Sequence, residues 1–125
     1  MHTELEKQHQ ALIELLKDEL MDADGYPTES VEKIITAWPL ENPKGWFEFI
    51  KQQWYYSTWG WKESVQDHEY RKNKRVLRYN ISTAGWSGNE YIIRAMQSHS
   101  FLWHITWVQS RRGGHYIFEI PLEDE

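Results

Sequence analysis

The sequence predicts an α+β fold in which a helical N-terminal half packs on an antiparallel ββαββ sheet. Apolar residues recur at helical spacing up to about residue 54. From about Trp59 they alternate with polar residues, which is the two-residue period of β-strands. A length of 125 residues suits one domain, which we divide into a helical part, residues 1–56, and a sheet part, residues 57–125.

The first predicted helix begins at Thr3, whose spacing from Glu6 is that of a capping box. It ends at Asp24-Gly25, because glycine is common just past the end of a helix. Its apolar residues recur near the helical period: Leu5, Leu12, Ile13, Leu16, Leu20 and Met21.

Two more helices are predicted before the sheet. One follows Pro27 and is stopped by Pro39, because proline cannot continue a helix. The other spans about residues 43–54, since Asn42-Pro43 combines an N-cap residue with the proline favoured at the first helical position. Their apolar positions are Val31, Ile34, Ile35 and Trp38 in the former, and Trp46, Phe47, Phe49, Ile50 and Trp54 in the latter.

Alternating residues predict a first strand over about Trp59–Val65 and a second over Arg75–Thr83, joined by a polar loop. The second strand places Leu77, Tyr79 and Ile81 on one face and Arg78, Asn80 and Ser82 on the other. The capping-box spacing of Ser87 and Glu90 then predicts a helix with Ser87 as its N-cap.

The last two strands are predicted at Phe101–Ser110 and His115–Pro121. If Gly113-Gly114 is a two-residue turn, Arg112 pairs with His115, and Arg111 lies at the end of an aromatic face. This register sorts apolar from polar residues, and its apolar face collects Phe101, Trp103, Ile105, Trp107, Tyr116, Phe118 and Ile120.

Composition narrows the class of protein. The absence of cysteine excludes a disulfide scaffold and thiolate metal sites, and it fits a reducing cytoplasm. No apolar run is long enough to span a membrane, and the N-terminal segment is too charged for a signal peptide. Eight Trp, seven Tyr and four Phe compensate for the low number of aliphatic residues, so most tryptophans are expected to pack in the core, while a few line a surface or cleft.

The net charge of −5 is unevenly distributed along the chain. Residues 71–115 contain eight Lys and Arg residues but one acidic residue, Glu90. A locally basic sheet half on an acidic chain suits a discrete anion, although the same cations would also discourage strand pairing at a sheet edge. Duplex nucleic acid is disfavoured, because the overall charge is negative and the basic residues follow no single helix face.

The candidate ligand site lies where a strand leads into a helix N-terminus that favours anions. Arginines would hold a phosphate or carboxylate, and a tryptophan would stack on a base. The predicted ligand-binding residues are Arg78, Trp86, Ser87, Asn89, Arg111 and Arg112. The alternative is that Ser87 only caps the helix and that the arginines at the turn are simply hydrated.

No catalytic residue, metal ligand or cofactor is predicted. The six histidines lack metal-binding spacing, and the predicted hairpin separates His104 from His115 by about 27 Å. Ser87 lies in G-W-S-G-N, where Asn89 replaces the last glycine of a nucleophile elbow. These residues favour a binding protein over an enzyme.

Three segments resemble stretches of small phage and prophage proteins of unknown function: Trp59–Trp61, Ser82–Glu90 and Gln109–Tyr116. The resemblance is confined mainly to residues 59–121. It implies a phage-encoded accessory protein in the host bacterial cytoplasm. That family has no established activity or catalytic residues to transfer.

The leading hypothesis is a non-enzymatic protein that binds a small anionic or nucleotide-like ligand, for example to sequester a host signalling nucleotide. One alternative is an inhibitor of a host protein that uses the acidic helical half. Its acidic residues there are Glu4, Glu6, Glu14, Asp18, Glu19, Asp22 and Asp24. A second alternative is a hydrolase acting on a nucleotide or glycan. Exposed aromatic residues would also suit a homodimer.

Overall fold

The computed structural model describes residues 26–55 and 57–122, which form helices and one four-stranded sheet. The helices are α1 (Glu29–Thr36), α2 (Pro43–Gln53), α3 (Ser57–Gly60), α4 (Ser87–Ser98) and α5 (Ser100–Thr106). The strands are β1 (Trp61–Asp67), β2 (Arg75–Ser82), β3 (Trp107–Arg111) and β4 (His115–Pro121). The α+β class is confirmed. The first predicted helix, from Thr3 to Asp24-Gly25, lies outside these residues.

The sheet is antiparallel and its strand order is β1-β2-β4-β3. The two central strands therefore come from different parts of the chain. Two helices, α4 and α5, connect β2 to β3. The order along the sheet half is ββααββ, with one short helix more than the predicted ββαββ.

The helices α1 and α2 agree with their sequence signals. The Asn42 side chain accepts a hydrogen bond from the Gly45 backbone N–H at 3.0 Å, and Pro43 occupies the first turn. This satisfies one of the amide groups that a helix start leaves without an internal partner. The helix α1 begins at Glu29, after Pro27, and ends at Thr36, before Pro39.

The core lies between the helices and one face of the sheet. Phe47 of α2 stacks on Tyr79 of β2 with ring centroids 4.2 Å apart, and Trp103 of α5 meets Phe118 of β4 edge-on at 5.2 Å. The tryptophans Trp38, Trp46, Trp54 and Trp61 are buried. Trp59 and Trp107 are exposed, so the expected division between core and surface tryptophans is confirmed.

The predicted strand over Phe101–Ser110 is wrong in its first part. Ser100–Thr106 is helical, and only Trp107–Arg111 is a strand. His99 caps this helix by accepting a hydrogen bond from the Leu102 N–H through Nδ1 at 3.3 Å. Leu102 and Thr106 are four residues apart and both are buried, which is helical spacing. In a segment this short, the apolar residues fit the spacing of a strand as well as that of a helix. The segment is helical because that conformation packs Leu102 against the core.

The predicted register of the last hairpin is also wrong, by one residue. Arg111, not Arg112, pairs with His115, and a bulge lies between Trp107 and Gln109. The turn spans residues 112–114, and Gly114 accepts a hydrogen bond from the Thr83 N–H at 3.0 Å. This contact with another part of the chain fixes the turn. Because successive strand residues face opposite ways, the shift moves Arg111 away from the aromatic face.

None of the helices in the described ranges combines the length and apolar composition that are needed to cross a membrane.

Candidate functional site

Asn89, one of the predicted ligand residues, is fully buried and holds backbone groups together. Its Oδ1 accepts a hydrogen bond from the Tyr55 N–H at 2.9 Å. Its Nδ2 donates to the Tyr55 carbonyl at 2.9 Å and to the Thr83 carbonyl at 3.3 Å. The side chain thus joins the start of α4 to the segments before β1 and after β2.

Trp86 and Ser87 lie at the start of α4 but differ from their predicted arrangement. The N-cap residue is Trp86, not Ser87, and its side chain makes no capping hydrogen bond. The Trp86 ring packs against Tyr55, with centroids 5.1 Å apart, and meets Tyr26 edge-on at 6.1 Å. A ring in these contacts is part of an aromatic cluster beneath the helix start.

Arg78 faces away from the core and is paired with an acidic residue. Its Nε and Nη2 lie 2.7 and 2.6 Å from Oε2 of Glu119, directly across from it on β4. Much of the charge of Arg78 is therefore neutralised within the sheet. Arg112 lies in the exposed β3–β4 turn.

Arg111 lines a pocket of about 450 Å³ on the sheet face opposite the core, which we call the sheet pocket. The other five predicted residues are not among the described residues that line it. Its lining consists of Trp59, Gly60, Lys62, Asn80, Ile81, Ser82, Arg111, His115, Tyr116 and Ile117. The volume lies within the range typical of small-molecule sites.

Strand pairing explains how the polar side chains of the sheet pocket come together. Lys62 of β1 pairs with Asn80 of β2. Two residues further along β2, Ser82 pairs with His115 of β4, and His115 pairs with Arg111 of β3. Directly paired residues project from the same face. All four strands thus contribute a polar side chain to one pocket.

The sheet pocket is electropositive in the part of the chain that the structure describes. Its described lining includes Lys62 and Arg111 but no acidic residue, and neither cation forms an ion pair with another described residue. The Nε of Arg111 donates a hydrogen bond to the Gln109 side chain at 3.3 Å. The Cα atoms of Lys62 and Arg111 lie about 16 Å apart, because three strand spacings and one step of two residues along a strand separate them. Both long side chains can reach a ligand placed between them.

The remaining lining provides neutral contacts. Asn80 and Ser82 offer hydrogen-bonding groups, and the largely buried Ile117 contributes a small apolar part of the lining between the two cations. Trp59 lies at the rim with 55% of its surface exposed. Such a combination suits a flat, polar, negatively charged molecule better than a purely apolar one.

The sequence did not predict that Lys62, Asn80, Ser82 and His115 belong to one site. One signal was present, because the alternation in β2 already placed Asn80 and Ser82 on the face that carries Arg78. The decisive information was the pairing of β2 with β4, which connects residues more than 30 positions apart. Residue spacing does not contain that information.

Within residues 26–55 and 57–122, no group of three or more His, Cys, Asp or Glu side chains is arranged to hold a metal ion. Comparison of the chain with protein-family models, curated proteins and solved structures finds no match.

Proposed function

We propose that this protein binds a small anionic, nucleotide-like ligand in the sheet pocket without transforming it. The observation that carries the proposal is that Lys62 and Arg111 line the same concave surface. Neither cation forms an ion pair within the described residues. Two such cations favour phosphate or carboxylate groups, because hydrogen bonds between charged groups are the strongest in proteins.

A nucleotide suits the sheet pocket for a second reason. Its base would lie against the exposed ring of Trp59, while its phosphates engage the cations. Stacking of a base on an aromatic ring contributes roughly 1–3 kcal/mol. Asn80 supplies both a donor and an acceptor for the edge of a base.

Isothermal titration calorimetry with nucleoside mono- and diphosphates tests this proposal. We expect Lys62→Ala and Arg111→Ala each to weaken binding by about tenfold or more, since each removes a charge-assisted hydrogen bond. Arg112→Ala is the matched control for Arg111, because Arg112 is the next residue but is not part of the described lining. Lys72→Ala, in the exposed β1–β2 loop, is the control for Lys62.

Native mass spectrometry of the protein purified from the cells that produce it extends this test to ligands other than the nucleoside phosphates used for calorimetry. A small mass excess that is lost on denaturation and absent from Arg111→Ala supports the proposal. A ligand that still binds both Lys62→Ala and Arg111→Ala with unchanged affinity contradicts the assignment to the sheet pocket.

We further propose a phage or prophage setting for this binding, which is the setting that the sequence resemblance implies. In that setting, binding without catalysis would sequester a host signalling nucleotide in the bacterial cytoplasm. The alternative of a protein inhibitor depends on the acidic residues between Glu4 and Asp24, which lie outside the described residues.

A further inference from the structure

The two edges of the described sheet differ in character. The β1 edge carries Lys62, Glu63 and Asp67, and charged residues of this kind prevent unwanted strand pairing. The β3 edge begins with Trp107, which is 44% exposed, and Val108, which is 38% exposed. An edge strand offers backbone N–H and C=O groups to another strand, and here apolar side chains accompany them.

The helix before β3 enlarges this apolar surface. Phe101 and Ile105 are each about half exposed, and their four-residue spacing places them on one face of α5. Leu102 and Trp103 point instead toward the core, where Trp103 contacts Phe118. We call the exposed residues the α5–β3 patch: Phe101, Ile105, Trp107 and Val108.

We propose that the α5–β3 patch is the interface with a second copy of this chain, formed by antiparallel pairing of the two β3 strands. An antiparallel strand edge is complementary to itself about a two-fold axis perpendicular to the sheet, so the same surface serves both partners. The pairing would join two four-stranded sheets into one of eight strands. It rests on the strand edge and not on the proposed ligand.

The charges of β3 are compatible with this pairing. Arg111, its one ionisable residue, lies at the C-terminal end of the strand. Antiparallel pairing places the C-terminal end of each strand beside the N-terminal end of the other. The two Arg111 side chains are therefore kept apart, so their like charges do not oppose the pairing.

The area of the patch is sufficient for the centre of an interface. Taking about half of the 150–250 Å² of each aromatic side chain, and less for the aliphatic ones, the patch exposes roughly 300 Å² per chain. A standard interface buries about 800 Å² per partner, of which only the central part is strongly apolar. The strand backbone and the polar residues around the patch would supply the rest.

Sedimentation velocity over a range of protein concentrations tests the proposal on the full chain. The wild-type protein should sediment with twice the mass of one chain. Val108→Lys should raise the dissociation constant of the dimer by at least about tenfold, because a lysine on the edge opposes strand pairing. Val65→Lys is the matched control, since Val65 is an exposed valine on the opposite edge strand, β1.

A second variant guards against a local folding defect at the β3 bulge. Ile105→Glu changes an exposed helix position and leaves the strand intact, and it should also produce monomers. Circular dichroism verifies that each variant is folded. A wild-type protein that stays monomeric at high micromolar concentration overturns the proposal. So does a dimer that survives both Val108→Lys and Ile105→Glu, or one that Val65→Lys disrupts equally.

Discussion

Asn89 shows what a single buried polar residue contributes to this fold. Its amide makes three hydrogen bonds to the backbone of Tyr55 and Thr83, at distances between 2.9 and 3.3 Å. Because Asn89 is fully buried, water does not readily take the place of its amide. At the residue scale, Asn89 therefore acts as a cross-link between the start of α4 and the segments before β1 and after β2.

Replacing Asn89 by alanine should strongly destabilise the protein. The change removes three buried hydrogen bonds to the backbone of Tyr55 and Thr83, and each contributes about 1 kcal/mol to stability. We expect the free energy of unfolding to fall by about 3 kcal/mol, measured by urea denaturation. Asn80→Ala is the matched control, because Asn80 is only partly buried and faces the sheet pocket. An equal loss in both variants would contradict this role.

At the scale of elements, the β3–β4 turn is tied to the segment that follows β2. Gly114 has a φ of +79°, and a Cβ placed on it would lie 2.2 Å from Oγ1 of Thr83. Gly85 has a similar φ of +74°, but a Cβ placed there would meet no described atom within 4 Å apart from those of its chain neighbours. Comparing substitutions at the two glycines therefore separates the effect of a left-handed backbone from the effect of a close contact with Thr83.

Gly114→Ala should therefore cost more stability than Gly85→Ala. Both variants lose about 1 kcal/mol, because each puts a side chain on a left-handed residue. Gly114→Ala must also displace Thr83, and overpacking of this kind costs about 1–3 kcal/mol more. Chemical denaturation of both variants measures the difference. Equal stabilities would show that Thr83 moves without cost.

The elements also show where prediction from sequence succeeded. The helix α2 and the strand β4 have strong local signals, Asn42-Pro43 and an alternating apolar run, and both are confirmed. The helix α5 and the hairpin register were mispredicted. In the region of Phe101 to Trp107, local spacing fits a strand as well as a helix, and the register depends on a contact between Gly114 and Thr83.

At the scale of the whole molecule, folding raises the pKa values of two tyrosines, Tyr79 and Tyr91. The hydrogen bond from its hydroxyl to Glu32, together with burial and nearby charges, raises the pKa of Tyr91 to about 12. Burial in the core raises the pKa of Tyr79, and the charges of Glu63 and Glu48 act in the same direction. Both environments favour the neutral phenol.

The stability of the protein should consequently decline at alkaline pH. The folded pKa of Tyr91 is about 12 and its ordinary value is 10.0, so its contribution is complete below pH 10 and is lost as the pH rises through 12. Tyr91→Phe should cost about 1 kcal/mol at pH 8, a typical value for one hydrogen bond. This cost should shrink between pH 10 and 12.

Urea denaturation at several pH values measures this dependence. Tyr70→Phe is the matched control, because Tyr70 is 85% exposed and its replacement should cost little at any pH. A cost for Tyr91→Phe that stays constant from pH 8 to pH 12 would argue against the contact with Glu32.

The sequence alone predicted the fold class, most of α1 and α2, the strands β2 and β4, and a division of the tryptophans between core and surface, of which four of eight are buried. These features depend on periodicity and on capping residues, which are local properties of the chain. Three features could not be predicted from local patterns: the helix at Ser100–Thr106, the pairing of Arg111 with His115, and the sharing of the sheet pocket by Lys62 and Arg111. Each of these depends on which distant segments lie side by side, and a one-residue change in strand pairing moves a side chain to the opposite face.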